Sequence, residues 1–163
     1  MQSFKIIKPI HILTPYVRYY WILEDGADVS VSERTLPTGC IQLVFHRGKR
    51  LLLVGKKESQ PQAFICGQCL NFSDVMSAGK IEMITVVFQP YAARAILQLP
   101  LKFFYGELIA VDAIEDLELS ILSRKVIEAD DHETCIRLIE QFLIHRLYRF
   151  EGYEYNLKRI SAV

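Results

Sequence analysis

A chain of 163 residues, 51% hydrophobic and 23% charged, is long enough to bury the core of one domain and too apolar to remain disordered. Nineteen basic residues balance nineteen acidic ones, so no overall field draws it to phosphate backbones, which argues against direct nucleic-acid binding. The longest apolar runs fall far short of the roughly 20 residues a membrane-spanning helix needs, so no membrane partner is expected.

Residues 1–9 lack the long apolar core and cleavage site of a secretory signal, which predicts a cytoplasmic address and reduced thiols at Cys40, Cys66, Cys69 and Cys135. Pro15 to Glu24 is dense in aromatic and β-branched residues and ends at Asp25-Gly26, a strand with two apolar faces: Val17, Tyr19, Trp21, Leu23 and Tyr16, Arg18, Tyr20, Ile22. Residues 27–36 read as a loop and a short strand. The turn signal Pro37-Thr38-Gly39 then opens a strand that runs to Arg47-Gly48, and Leu51 to Val54 follows closely enough to pair with it as an antiparallel hairpin. Lys56 to Pro61 is a polar loop. Gln62 to Cys66 and Leu70 to Val75 are further strands, and Ile81 to Phe88 is the strongest strand by length and β-branching. The count is seven or eight strands, the spacing of a sandwich or barrel.

At Gln89-Pro90 the character changes. Tyr91 to Leu99 is rich in helix formers until Pro100 stops it, and residues 101–114 form a bridge. Two helices follow, at about 115–128 and 131–150. The second starts at Asp130-Asp131 and carries Ile136, Ile139, Leu143 and Leu147 along one face. The sequence thus divides into a β-rich part over 1–90, a helical appendage of the same domain over 91–150, and a tail over 151–163, an α+β organisation.

Few residues suggest chemistry. Cys66-Gly-Gln-Cys69 has the spacing of a metal or redox pair, but no second Cys or His pair completes a zinc site, and the surrounding strands differ from a thioredoxin context; two small semi-buried residues at a turn are the better account. Gln42 and His46 share one strand face with Cys40 and Val44, where they either meet a small ligand in a cavity or are solvated tips beside a turn. Trp21 is either pocket lining or plain core. No closely spaced His-x-His with a downstream Glu is present, no nucleophile triad is suggested by spacing, and no Gly-rich phosphate loop occurs, so neither an enzyme nor a cofactor is expected.

Pro15-Tyr-Val-Arg-Tyr-Tyr-Trp21, Glu33-Arg-Thr-Leu-Pro-Thr-Gly39, Leu43-Val-Phe-His46, Cys66-Gly-Gln68 and Val87-Phe-Gln-Pro90, taken in order, resemble the N-terminal domain of bacterial AraC-type transcription regulators. The resemblance implies a cupin-like antiparallel β-barrel or sandwich followed by helices. It also implies a role in sensing a small-molecule effector or in dimerisation, with DNA bound only through a C-terminal helix-turn-helix domain that these residues do not include. Residues 151–163 are then a linker towards it. Trp21, Gln42, His46 and Gln68 are the candidate effector contacts. Ile136, Ile139, Leu143 and Leu147 are the candidate homodimer face, unless the stripe docks on the chain's own β-structure. The alternatives are a small cupin-like metal-binding protein or enzyme, and a thiol redox sensor using Cys66 and Cys69.

Overall fold

The run of β-branched residues from Ile81 to Phe88 becomes the central strand of the protein. In a computed structural model that describes residues 2–27, 30, 32–35, 39–68, 73–90, 92–100, 102 and 108–149, the strands are β1 (Gln2–Ile7), β2 (Val17–Asp25), β3 (Ser32–Thr35), β4 (Gln42–His46), β5 (Leu52–Leu53), β6 (Glu58–Ser59), β7 (Ala63–Cys66), β8 (Ser73–Met76), β9 (Ile81–Phe88) and β10 (Ile109–Ala110). The helices are α1 (Ala92–Leu97), α2 (Leu117–Glu128) and α3 (His132–Tyr148). Six strands form one antiparallel sheet in the order β1-β2-β9-β4-β7-β10, and four form a second in the order β3-β8-β5-β6. Both orders are open, so the fold is an α+β sandwich and not a closed barrel.

Strand alternation gives the larger sheet two apolar faces. Tyr20 and Ile22 of β2, Leu43 and Phe45 of β4, Ile65 of β7, and Ile84 and Val86 of β9 are buried in one cluster with Ile96 of α1, Leu119 and Leu122 of α2, and Ile139 and Leu143 of α3. The opposite face carries Val44, Phe64, Ile81 and Met83, packed with Trp21, Leu23 and Leu51. Each fully buried side chain of this size contributes about 1.5–3 kcal/mol, so the helix-covered face is the main core.

Three differences from the sequence expectations have physical causes. β4 does not form a hairpin with residues 51–54: both its edges are taken, by β7 and β9, and Leu52–Leu53 pairs in the other sheet with β6 and β8. The chain crosses because Arg47, Gly48 and Lys49 continue along the start of β9, their backbone N–H groups donating hydrogen bonds to the carbonyl oxygens of Glu82 and Lys80. The two-face reading of the Tyr-Trp strand also fails at its start, because a register shift between Val17 and Tyr19 puts Val17 in the same buried cluster as Tyr20 and Ile22. Finally, ten strands are present among the described residues, the extra ones being β1, too mixed in sequence to stand out, and the two-residue pieces β6 and β10. The Pro37-Thr38 part of the predicted turn, Cys69 and residues 151–163 lie outside the described residues.

The helices are pinned at their ends. Asp116 accepts from Leu119 N at 3.0 Å and Asp131 from Thr134 N at 2.7 Å, capping α2 and α3. Arg146 of α3, only 4% exposed, donates to both Asp116 oxygens at 2.7 and 2.6 Å and to Leu97 O at 3.0 Å. One guanidinium therefore joins the end of α1, the start of α2 and the last turn of α3, a use for which its planar fork suits it better than lysine. Among the described residues no helix is long and apolar enough to cross a membrane.

Candidate functional site

The cross-strand register gathers three of the four predicted effector contacts on the face of the six-stranded sheet away from the helices. One row across the sheet is Ile6, Trp21, Thr85, Val44 and Phe64. The next is Phe4, Leu23, Met83 and His46, and a third is Tyr19, Val87, Gln42 and Cys66. Trp21 and Gln42 are half-buried, and Trp21 has its ring 5.9 Å from that of Phe4. Gln68 is not on these rows: its amide donates to Gly39 O at 3.1 Å, tying two loops together.

His46 is fully buried, the opposite of a solvated strand tip. Its Nε2 lies 2.8 Å from Gln60 Oε1, so Nε2 carries the proton and Nδ1 is an acceptor. Burial lowers the imidazole's pKa, against the Gln60 hydrogen bond and together with the charge of Arg50, and so favours the neutral ring. Thr85, which the sequence reading passed over, is also fully buried. Neither His46 Nδ1 nor Thr85 Oγ1 has a hydrogen-bond partner among the described residues. The signal for Thr85 was present: with Met83 and Val87 it shares one face of β9, and it is the one hydroxyl in that strand. Diagonal neighbours on paired strands stand about 7–8 Å apart, which puts Thr85 and His46 within the span of one small molecule.

A second polar set occupies the helix-facing side, at the end of the same strands. Arg47 N and Gly48 N both donate to Glu82 O, at 2.7 and 3.2 Å, a bulge that turns Arg47 toward the helices. Gly48 is required there, since a Cβ would come within 2.7 Å of Glu82 N and Lys80 O. The Arg47 guanidinium donates to Val126 O at 3.1 Å and Ala129 O at 2.6 Å, closing the C-terminal end of α2. It also contacts Cys135 Sγ, and its Nε lies 2.7 Å from Glu82 Oε1. His132, the first residue of α3, has Nε2 2.9 Å from Glu82 Oε1 and 3.5 Å from Glu24 Oε1.

The predicted dimer stripe is placed inward. Ile139 and Leu143 are fully buried and Leu147 is 4% exposed within the single chain, with Ile136 half-buried against the same core. The stripe is covered by the protein's own sheet and helices, so it is not a free face for a second copy. Cys135 is a free, buried thiol, and burial is the main cause that raises its pKa. A polar cleft of about 240 Å³ beside α2, lined by Gln62, Asp112, Ser120, Ser123 and Arg124 among others, includes none of the predicted contacts.

Residues 5–110 match the family model described as Domain of unknown function (DUF6597). The match runs from β1 to β10, taking in both sheets and α1 and leaving α2 and α3 outside. Among curated proteins, none matches the chain.

Proposed function

The chain belongs to the DUF6597 family, and we propose that it works as the effector-sensing domain of an AraC-type transcription regulator, without catalysis and without contacting DNA itself. The observation that carries the reading is the pair of fully buried polar atoms, His46 Nδ1 and Thr85 Oγ1, which have no hydrogen-bond partner among the described residues and lie on the sheet face that also holds Trp21 and Gln42. A buried polar atom without a partner costs about 1–3 kcal/mol. A small molecule with a donor for His46 and a flat apolar part for Trp21 recovers that cost, which gives a ligand a differential affinity for the ordered sandwich.

The order of motifs that resembles the AraC-type sensor domain, and a net charge of zero, support the same reading. The test is a thermal-shift screen of small hydrogen-bond donors, repeated on Thr85→Val and His46→Gln. Each variant is expected to weaken a true effector by about three- to tenfold, the worth of one neutral hydrogen bond. A screen without hits, or hits indifferent to both substitutions, removes the sensing role from this face.

A further inference from the structure

We propose that Glu24, Glu82 and His132 form a binding site for a divalent transition-metal ion of the zinc type, at the corner where α3 starts over the end of the six-stranded sheet. The three residues come from β2, β9 and α3, and one ligand atom from each lies within 4.8 Å of the others. Glu24 and Glu82 are direct cross-strand partners, and like charges placed opposite each other destabilise a strand pair. Arg47, ion-paired with Glu82 at 2.7 Å, offsets one of the two carboxylate charges and leaves the other. A cation between the carboxylates removes the repulsion.

The chemistry of the donors selects the ion. One imidazole nitrogen and two carboxylate oxygens suit zinc and its first-row neighbours, whereas calcium and magnesium favour all-oxygen shells. In a tetrahedral zinc site with ligands about 2.0–2.2 Å from the metal, neighbouring donors stand roughly 3.3–3.6 Å apart. Of the separations of His132 Nε2 from the two carboxylates, 3.5 Å to Glu24 falls in that range, and 2.9 Å to Glu82 is a few tenths of an ångström short of it. The side chains of Glu24, Glu82 and His132 are 49%, 23% and 30% exposed, so an ion can enter from solvent and keep water as a fourth ligand. Behind them the Arg47–Glu82 ion pair and the bulge that aims Arg47 fix the orientation of Glu82, the office of an outer shell in metal sites. Bound here, the ion ties α3, which lies outside the family match, to two strands inside it. The site is on the other face of the sheet from His46 and Thr85, so it stands or falls apart from the sensing role.

The test is calorimetric titration of the chelator-treated full chain with zinc chloride, with melting followed alongside. One saturable site that raises the melting temperature is expected. Glu24→Gln and His132→Gln should each weaken it by more than the roughly tenfold that even an outer-shell partner is worth. Because Glu24→Gln removes the cross-strand repulsion, the metal-free variant should melt no lower than the metal-free parent, which separates loss of a ligand from loss of the fold. A double Cys66→Ser, Cys69→Ser chain should bind as the parent does. Absence of saturable binding, binding unchanged in both Glu24→Gln and His132→Gln, or binding lost with the cysteines would each overturn the proposal.

Discussion

His46 and Asp116 show how single buried groups set the protein's response to acid. The pKa of His46 is lowered, chiefly by burial, while the unfolded chain takes up that proton near pH 6.5. Between the two values the unfolded state binds more protons, so the contribution of His46 is complete above about pH 6.5 and shrinks as the pH falls. Denaturant midpoints are therefore expected to drop from pH 7 to pH 5, and His46→Gln should flatten that slope; an equal slope in the variant would place its origin elsewhere. Asp116 is shifted downward as well. Burial alone would raise its pKa, but the Arg146 guanidinium and the Leu119 amide outweigh this and hold it below the ordinary carboxylate value. Its contribution is present above the unfolded value near 3.8 and is lost as the pH falls through the folded one. Asp116→Asn leaves Arg146 with only its ion pair to the more exposed Glu118, at 3.2 Å, so the expected loss in chemical denaturation is below the roughly 3–5 kcal/mol of a buried charge left without any partner. Gly48→Ala should also destabilise, by about 1–3 kcal/mol, because the atoms that a Cβ meets are backbone and cannot swing aside.

At the scale of elements, α3 separates what the sequence made legible from what it did not. Its apolar periodicity placed the helix within a residue or two of its bounds, since that pattern depends on the helix alone. Which surface the stripe meets depends on the rest of the fold, and the answer was the chain's own core. Leu143→Ala is accordingly expected to cost about 2–5 kcal/mol in a monomer's unfolding, while Leu117→Ala, at a position 75% exposed, should change little. If Leu143→Ala instead shifted only a monomer–dimer equilibrium in light scattering, the inward placement would be refuted. β9 was legible for the same local reason as α3. The hairpin expected of β4 was not formed, because proximity in sequence says nothing about which edges a stronger strand has already occupied. The candidate site divides in the same way: Trp21, Gln42 and His46 follow from strand parity, whereas Thr85 needed the register of β9 against β2 and β4. Glu24, Glu82 and His132 needed the position of α3 over the sheet end, a contact spanning most of the chain.

For the whole molecule, charge and layering set the expectations. With no net charge, binding of a 30-base-pair duplex at physiological salt should be no tighter than non-specific association, about 10⁻⁴ M; tight, salt-sensitive binding in fluorescence anisotropy would contradict a DNA-independent role. The helices are not an accessory to the sheets. A chain cut to the family-matched residues 5–110 bares Leu43, Phe45, Ile65 and Ile84, all buried beneath the helices in the full chain. Such a fragment should bind hydrophobic dyes and lack a cooperative melt.

The central place of β9 also bears on the order in which the protein is made. β1 and β2 can close as a hairpin soon after they leave the ribosome, but β4 waits for both of its partners, β7 and β9, and β2 for β9 alone. At roughly 5–20 residues per second, the interval between Asp25 and Phe88 lasts several seconds. From the completion of β4 at His46, two strands with apolar faces are present without the strand that joins them. Synthesis therefore passes through a window in which those edges are open to other chains until β9 arrives to cover them.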